Sequence, residues 1–396
     1  MDGLTALRRT IRTASAGRHR ASYGEHLVTV ALATWLMVGL FVDGWAHNHL
    51  DTSLETFFTP WHALFYSGFA ACAGWLLWLV WRGRRRGSSG AAAVPRGYGL
   101  GLVGLAVFAV GGAGDMSWHL VFGIERDIDA LFSPTHLLLF AGIALIVTSP
   151  FRDAWHAPDP AAPGLRAFLP ALVSLALVVS LVAFFFMYWS PYTTWAPTRD
   201  AAAYVAGAPA DYARSLRYSQ ITEGIASALT ATLLLVGPLL LVLRRWRPPA
   251  GTATVLITVP ALLLSAIDSF ERPALVLAAL VAGLVTDALV HRLRPAPDRR
   301  AAVRLVAVLS PMVLSSAWFA ALSVTTGVWY PPEIWAGTIV WSGLAGLGLA
   351  LLVLPTPSPG QAAEAAGTGP GSERVATVAP APAPRAATAP ASVRDT

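Results

Sequence analysis

Apolar runs of about 20 residues, long enough to cross a hydrocarbon core of about 30 Å, recur along the chain between short segments that hold most of its charge. The runs lack the strict alternation of a half-buried strand and the one-sided stripe of a soluble helix. They predict an all-α polytopic membrane protein with about ten transmembrane helices, at 27–46, 60–81, 98–118, 134–150, 167–189, 222–243, 251–268, 273–292, 304–325 and 334–354.

Residues 1–26 form a basic leader. The run behind it is too long for a signal-peptide core and no small-residue cleavage site follows, so it is expected to stay as the first span. Arginine asymmetry then sets the orientation. One set of connections holds Arg82, Arg84, Arg85, Arg86 and Arg96, then Arg152 and Arg166, then Arg244, Arg245 and Arg247, then Arg292, Arg294, Arg299, Arg300 and Arg304. The alternate set holds Arg126, Arg199, Arg214, Arg217 and Arg272. The positive-inside rule puts the richer set and both termini in the cytoplasm of a multi-pass cell (plasma) membrane protein. Residues 27–151 carry the first four spans. Residues 152–354 carry the other six, with an external loop at 190–221. Residues 355–396, rich in Ala, Pro, Gly, Ser and Thr, read as a disordered cytoplasmic tail.

Composition agrees with this. Hydrophobic residues make up 55% and charged residues 13%, about half the charge of a soluble domain, which excludes a soluble enzyme. The 28 basic residues are all arginine, and the net charge of +6 follows from topology, so no nucleic-acid partner is expected and the surroundings are the lipid bilayer. Cys72 is the single cysteine, which leaves neither a disulfide framework nor a thiolate metal cluster. No phosphate loop, nucleotide fingerprint or Ser-His-Asp elbow is present.

The most informative pattern is an internal repeat. Asp43-x3-His47 is followed by Glu55 and then Phe58-Thr59-Pro60-x-His62-x3-Tyr66-x-Gly68. Asp115-x3-His119 is followed by Asp129 and then Phe132-Ser133-Pro134-x-His136-x3-Phe140-x-Gly142. The offset is 72 residues before the connecting loop and 74 after it, and four of the nine histidines fall on matched positions. The first and second spans, and the third and fourth, therefore read as duplicated helical hairpins.

Helix geometry makes these residues converge. Asp43 and His47, like Asp115 and His119, are at i and i+4 and share one face of a helix end. Thr59 and Ser133 suit the N-cap, with Pro in the first helical position, which puts His62 and His136 in the first turn of the returning helix. The helix N-terminus there favours a neutral imidazole, the ligand form. Two histidines with one or two carboxylates suit a transition metal such as zinc, iron or copper. The candidate ligands are Asp43, His47, Glu55, His62, Asp115, His119, Asp129 and His136, with His49, Glu125 and Asp127 as extra donors in the same loops. Two other readings stay open: an Asp–His clasp that fastens each hairpin, and a proton or solute path.

Other polar signals read as structural. Asp287-x3-His291 lies at the opposite end of its span and suits a solvated helix end. His19, His26 and His156 read as exposed polar residues. Asp268, Glu271 and Arg272 suggest a local ion pair, and Glu223 and Glu333 suit helix N-termini.

The Asp-x3-His followed by a further His resembles the copper-ligand pattern in the C subunit of the particulate methane and ammonia monooxygenases. The resemblance covers Asp115, His119 and His136, and equally Asp43, His47 and His62. It implies copper and an oxidative reaction. The membrane zinc hydrolases of the ceramidase and progestin-receptor kind also place Asp and His on helix ends, but their paired-His motif on a late span is absent here. Three functions follow as expectations: a membrane metalloenzyme acting on a small or lipid-soluble substrate, a cation- or proton-coupled transporter, and a structural or assembly subunit. The sequence names neither the metal nor any partner subunit.

Overall fold

The computed structural model describes residues 19–50, 58–123, 127–158 and 160–354, with Asp127 and Asp129 as backbone only. Among them the chain is helical, and the β-pairing is an isolated bridge between Thr198 and Val328. In chain order the helices are α1 (Tyr23–His49), α2 (Pro60–Arg85), α3 (Gly99–Phe122), α4 (Asp127–Phe132), α5 (Pro134–Val147), α6 (Ser149–His156) and α7 (Leu165–Phe185). After these come α8 (Arg199–Gly207), α9 (Ala210–Arg245), α10 (Thr252–Ile267), α11 (Pro273–Leu293), α12 (Arg300–Thr325) and α13 (Pro332–Val353).

Eight of these helices (α1, α2, α3, α7, α9, α11, α12 and α13) are long and apolar enough to cross a membrane. The expected span at 134–150 falls on α5 and α6, which reach the length and hydropathy of a span only together and are bent by 45° at their junction. The expected span at 251–268 falls on α10, an apolar helix shorter than the eight, whose 16 residues reach about 24 Å at 1.5 Å per residue.

Helix starts follow the capping rules. Ser22 accepts from the Glu25 amide while the Glu25 carboxylate takes the Ser22 amide, a full capping box ahead of α1. Thr59 and Ser133 cap α2 and α5 through the amides of His62 and His136, each with Pro next in line.

Helix α1 packs along α2, and α3 along α5. Small residues let the backbones touch. A methyl on Gly39 would lie 2.6 Å from Phe65 Cα, and one on Gly68 would lie 2.7 Å from Leu36 Cα. In the other pair, a methyl on Gly142 would lie 2.7 Å from Phe108 Cβ, and one on Gly111 would lie 3.0 Å from Leu138 Cβ. Such contacts gain dispersion energy where lipid supplies no hydrophobic drive. Leu36, Phe65, Cys72, Phe108 and Ile143 are buried between the helices, with the Phe69 and Phe108 rings stacked at 4.0 Å.

One end of these helices holds a buried polar cluster that corrects one expectation. His26 is not an exposed leader residue: it lies inside α1, buried, 2.9 Å from the Tyr98 hydroxyl and 3.1 Å from Asp153 Oδ2. Asp153, fully buried, also accepts from Arg20 Nε at 3.1 Å and Arg96 Nε at 2.9 Å. Thr29 joins the network through Tyr98 at 3.0 Å and Trp75 Nε1 at 2.9 Å, and Glu25 pairs with Arg82.

Two further expectations change. Asp287 is no bare solvated helix end: its carboxylate takes the amides of Ala253 and Thr254 at 3.0 and 2.9 Å and so caps the neighbouring α10. The segment 190–221 is folded rather than open loop, since α8 and the first turns of α9 lie within it. Glu223 therefore sits inside α9, where it accepts from Thr194 Oγ1 at 2.6 Å. Trp329 Nε1 ties this segment down by donating to Ala196 O at 2.7 Å. The Asp268–Arg272 ion pair forms as expected, at 2.5 Å.

Candidate metal centre

The last turns of α1 and α3 and the first turns of α2 and α5 meet at the end opposite Asp153. On α1, Asp43 and His47 occupy one face a turn apart, with His47 Nε2 3.9 Å from Asp43 Oδ2. From α2, His62 turns its Nε2 to within 3.5 Å of Asp43 Oδ1. The imidazole is set by its own helix cap: Thr59 Oγ1 lies 2.9 Å from His62 Nδ1 and 3.2 Å from the His62 amide. One hydroxyl thus starts the helix and orients the ring.

The second group repeats this. His119 Nε2 and His136 Nε2 lie 3.4 and 3.1 Å from Asp115 Oδ1. Ser133 Oγ stands 2.9 Å from His136 Nδ1, and the Ala130 carbonyl contacts the same nitrogen. A carbonyl only accepts, so Nδ1 carries the proton in that contact and Nε2 presents a lone pair to a carboxylate. Two acceptors facing each other require a cation between them, either a proton on the imidazole or a metal ion. Anchoring the far nitrogen on a carbonyl or hydroxyl is the outer-shell arrangement of metal-bound histidines.

Within each triad one ligand-type atom from each residue lies within 4.8 Å of the others. Bonds of about 2.0–2.1 Å in a tetrahedral site put ligand atoms about 3.3–3.4 Å apart. The four Asp–His separations, 3.1, 3.4, 3.5 and 3.9 Å, all exceed the roughly 2.7–2.9 Å of a charge-assisted hydrogen bond and bracket that ligand spacing. The spacing has room for an ion between the side chains, most clearly in the Asp43 triad, where the separations are 3.5 and 3.9 Å. Three protein ligands leave a fourth position for water or substrate.

The two triads adjoin. The His62 and His119 rings meet edge to face with centroids 6.3 Å apart. Both triads open into one cavity of about 80 Å³, walled on its other sides by Leu40, Leu139, Phe140, Ile143, Phe184 and Phe185. Asp115 is 2% exposed and is held from outside its triad as well: Thr135 Oγ1 donates to Oδ1 and Tyr66 Oη to Oδ2, each at 3.3 Å.

Six of the eight sequence candidates therefore meet: Asp43, His47, His62, Asp115, His119 and His136. Glu55 and Glu125 lie outside the described residues, as do the side chains of Asp127 and Asp129. His49 turns away, its Nδ1 2.9 Å from Trp45 O and its Nε2 3.3 Å from Ser269 Oγ. Tyr66 and Thr135 were not singled out by sequence. The signal for Tyr66 was present: it follows His62 by four residues, hence on the same face, and Phe140 stands at the same spacing after His136. Comparison with protein-family models, curated proteins and solved structures finds no match, so the functional reading rests on this geometry.

Proposed function

We propose that this chain is an integral membrane metalloprotein in which each Asp-His-His triad binds one transition metal ion at the extracytoplasmic face. The observation that carries the reading is the convergence of one ligand-type atom from each Asp and His of a triad within 4.8 Å, with Asp–His separations of 3.1–3.9 Å that bracket the spacing around a tetrahedral ion. Copper is the first metal to test, because the motif resembles the monooxygenase pattern; zinc and iron suit the same donors. With an open fourth position, such an ion would polarise or activate a bound water or oxygen. The apolar cavity walls favour a small or lipid-soluble substrate.

Ten spans and a duplicated hairpin belong to the same proposal. The repeat is supported by the paired glycine contacts: Gly39 with Gly111 and Gly68 with Gly142 stand 72 and 74 residues apart, the offsets of the ligand motif itself. Orientation rests on the arginine distribution.

A transporter reading is less well supported. Below the triads the hairpin interior is filled by Leu36, Phe65, Phe69, Phe108 and Ile143 before polar groups return at Thr29, Trp75 and Tyr98. Apolar rings in that layer offer no relay for a proton or cation among the described residues.

Elemental analysis of detergent-purified protein tests the proposal. Wild type should carry stoichiometric metal and a His62→Ala/His136→Ala double variant should carry none. Direct clasps predict a metal-free wild type and a double variant that loses only thermal stability.

A further inference from the structure

We infer that the two triads form one coupled two-metal centre, with Tyr66 as the residue that positions one half against the other; the inference rests on the metal-binding reading above. Two sites that merely arose as copies would be expected to keep to their own hairpins. Here they do not. The His62 ring of the first triad lies 6.3 Å from the His119 ring of the second, closer than the 6.4 Å between His62 and Tyr66 within α2 itself. Both triads line the same cavity, so one ligand placed there meets both.

Tyr66 makes the connection directional. It belongs to α2, a turn beyond His62, yet its hydroxyl donates to Asp115 of the other hairpin at 3.3 Å. The ring reaches across because α3 carries no side chain at Gly112, where a methyl would lie 2.9 Å from Tyr66 Cε1. Its matched residue, Phe140, has no hydroxyl and packs on the Phe185 ring at 4.5 Å instead. The halves are therefore chemically unequal. Oδ2 of Asp115 is held by a phenol delivered from the first hairpin, while Oδ1 faces His119, His136 and Thr135. A carboxylate fixed this way keeps its ligand oxygen aimed at the site, and losing such an outer-shell partner typically weakens metal binding about 10- to 100-fold.

Cu²⁺ titration of the full-length protein in detergent, read by electron paramagnetic resonance, separates the possibilities. At two equivalents the inference predicts a dipolar-coupled spectrum with a half-field transition. His62→Ala should bind one ion and give the spectrum of an isolated ion. Tyr66→Phe keeps the ring and its packing, and should weaken the Asp115 site about 10- to 100-fold while the Asp43 site keeps its affinity. Two bound ions with uncoupled spectra would overturn the coupled centre and leave the metal reading standing. Wild-type affinities at both sites in Tyr66→Phe would remove its positioning role. Protein that takes up no Cu²⁺ at the triads would overturn both.

Discussion

Replacing Thr59 by Val removes one hydroxyl and keeps the branched shape. In the structure that hydroxyl has two partners, the His62 amide at 3.2 Å and His62 Nδ1 at 2.9 Å. The first is a helix cap, and its loss costs about 0.5–2 kcal/mol, which for a chain of this size shifts the unfolding midpoint by only a few degrees. The second is the anchor that keeps His62 Nε2 facing Asp43, and loss of such an outer-shell contact lowers metal affinity about 10- to 100-fold, or about 1.4–2.7 kcal/mol. The change should fall on one site of two, since the Asp115 triad takes its ring anchor from Ser133 and Ala130. Metal titration followed by isothermal calorimetry, beside thermal unfolding in the same detergent, measures both effects. Thr59→Ser should restore both. A Thr59→Val protein with a lowered midpoint but two unchanged affinities would show that the hydroxyl only caps the helix, and the argument from ring orientation would fail.

Other consequences are as direct. Gly68→Ala and Gly142→Ala each push a methyl to 2.7 Å from the facing helix and should destabilise by about 1–3 kcal/mol, whereas Gly74→Ala, with open space around it, should be neutral or stabilising by up to about 1 kcal/mol; thermal melts in detergent check the contrast. Asp153→Ala strips the shared partner from Arg96 and His26 in a buried setting and should cost about 3–5 kcal/mol, with metal content unchanged because the cluster lies at the far end of the helices. Cysteine labelling on a Cys72-free background should modify residue 123 from outside and residue 88 from the cytoplasm; labelling at 123 only from the cytoplasm would invert the orientation.

The helices and the triads were legible because both depend on local rules. Apolar length sets the spans, i, i+4 spacing sets Asp43 with His47 and Asp115 with His119, and the Thr59-Pro60 and Ser133-Pro134 steps set where His62 and His136 enter. Placement of His26 failed on a boundary: the Ser22-x-x-Glu25 capping box starts α1 several residues before the apolar run does, so a helix that begins in polar sequence was read as leader. The 190–221 segment was missed for the same reason, since the first turns of α9, around Asp211, Arg214 and Arg217, are polar and carry no hydropathy signal. Asp287 and Tyr66 act between helices, on α10 and α3 respectively. Pairing across helices is set by tertiary packing, which no single-span pattern contains.

The central claim meets its most direct test in metal stoichiometry. Purified wild type, reconstituted with copper and then desalted, should retain two ions per chain; His119→Ala or His136→Ala should retain one, in protein that still inserts and folds, because losing one of about three or four ligands cannot be replaced locally while insertion depends on apolar length. Substoichiometric metal in wild type, unchanged by either substitution, would contradict the account and leave the Asp–His groups as fasteners of the two hairpins.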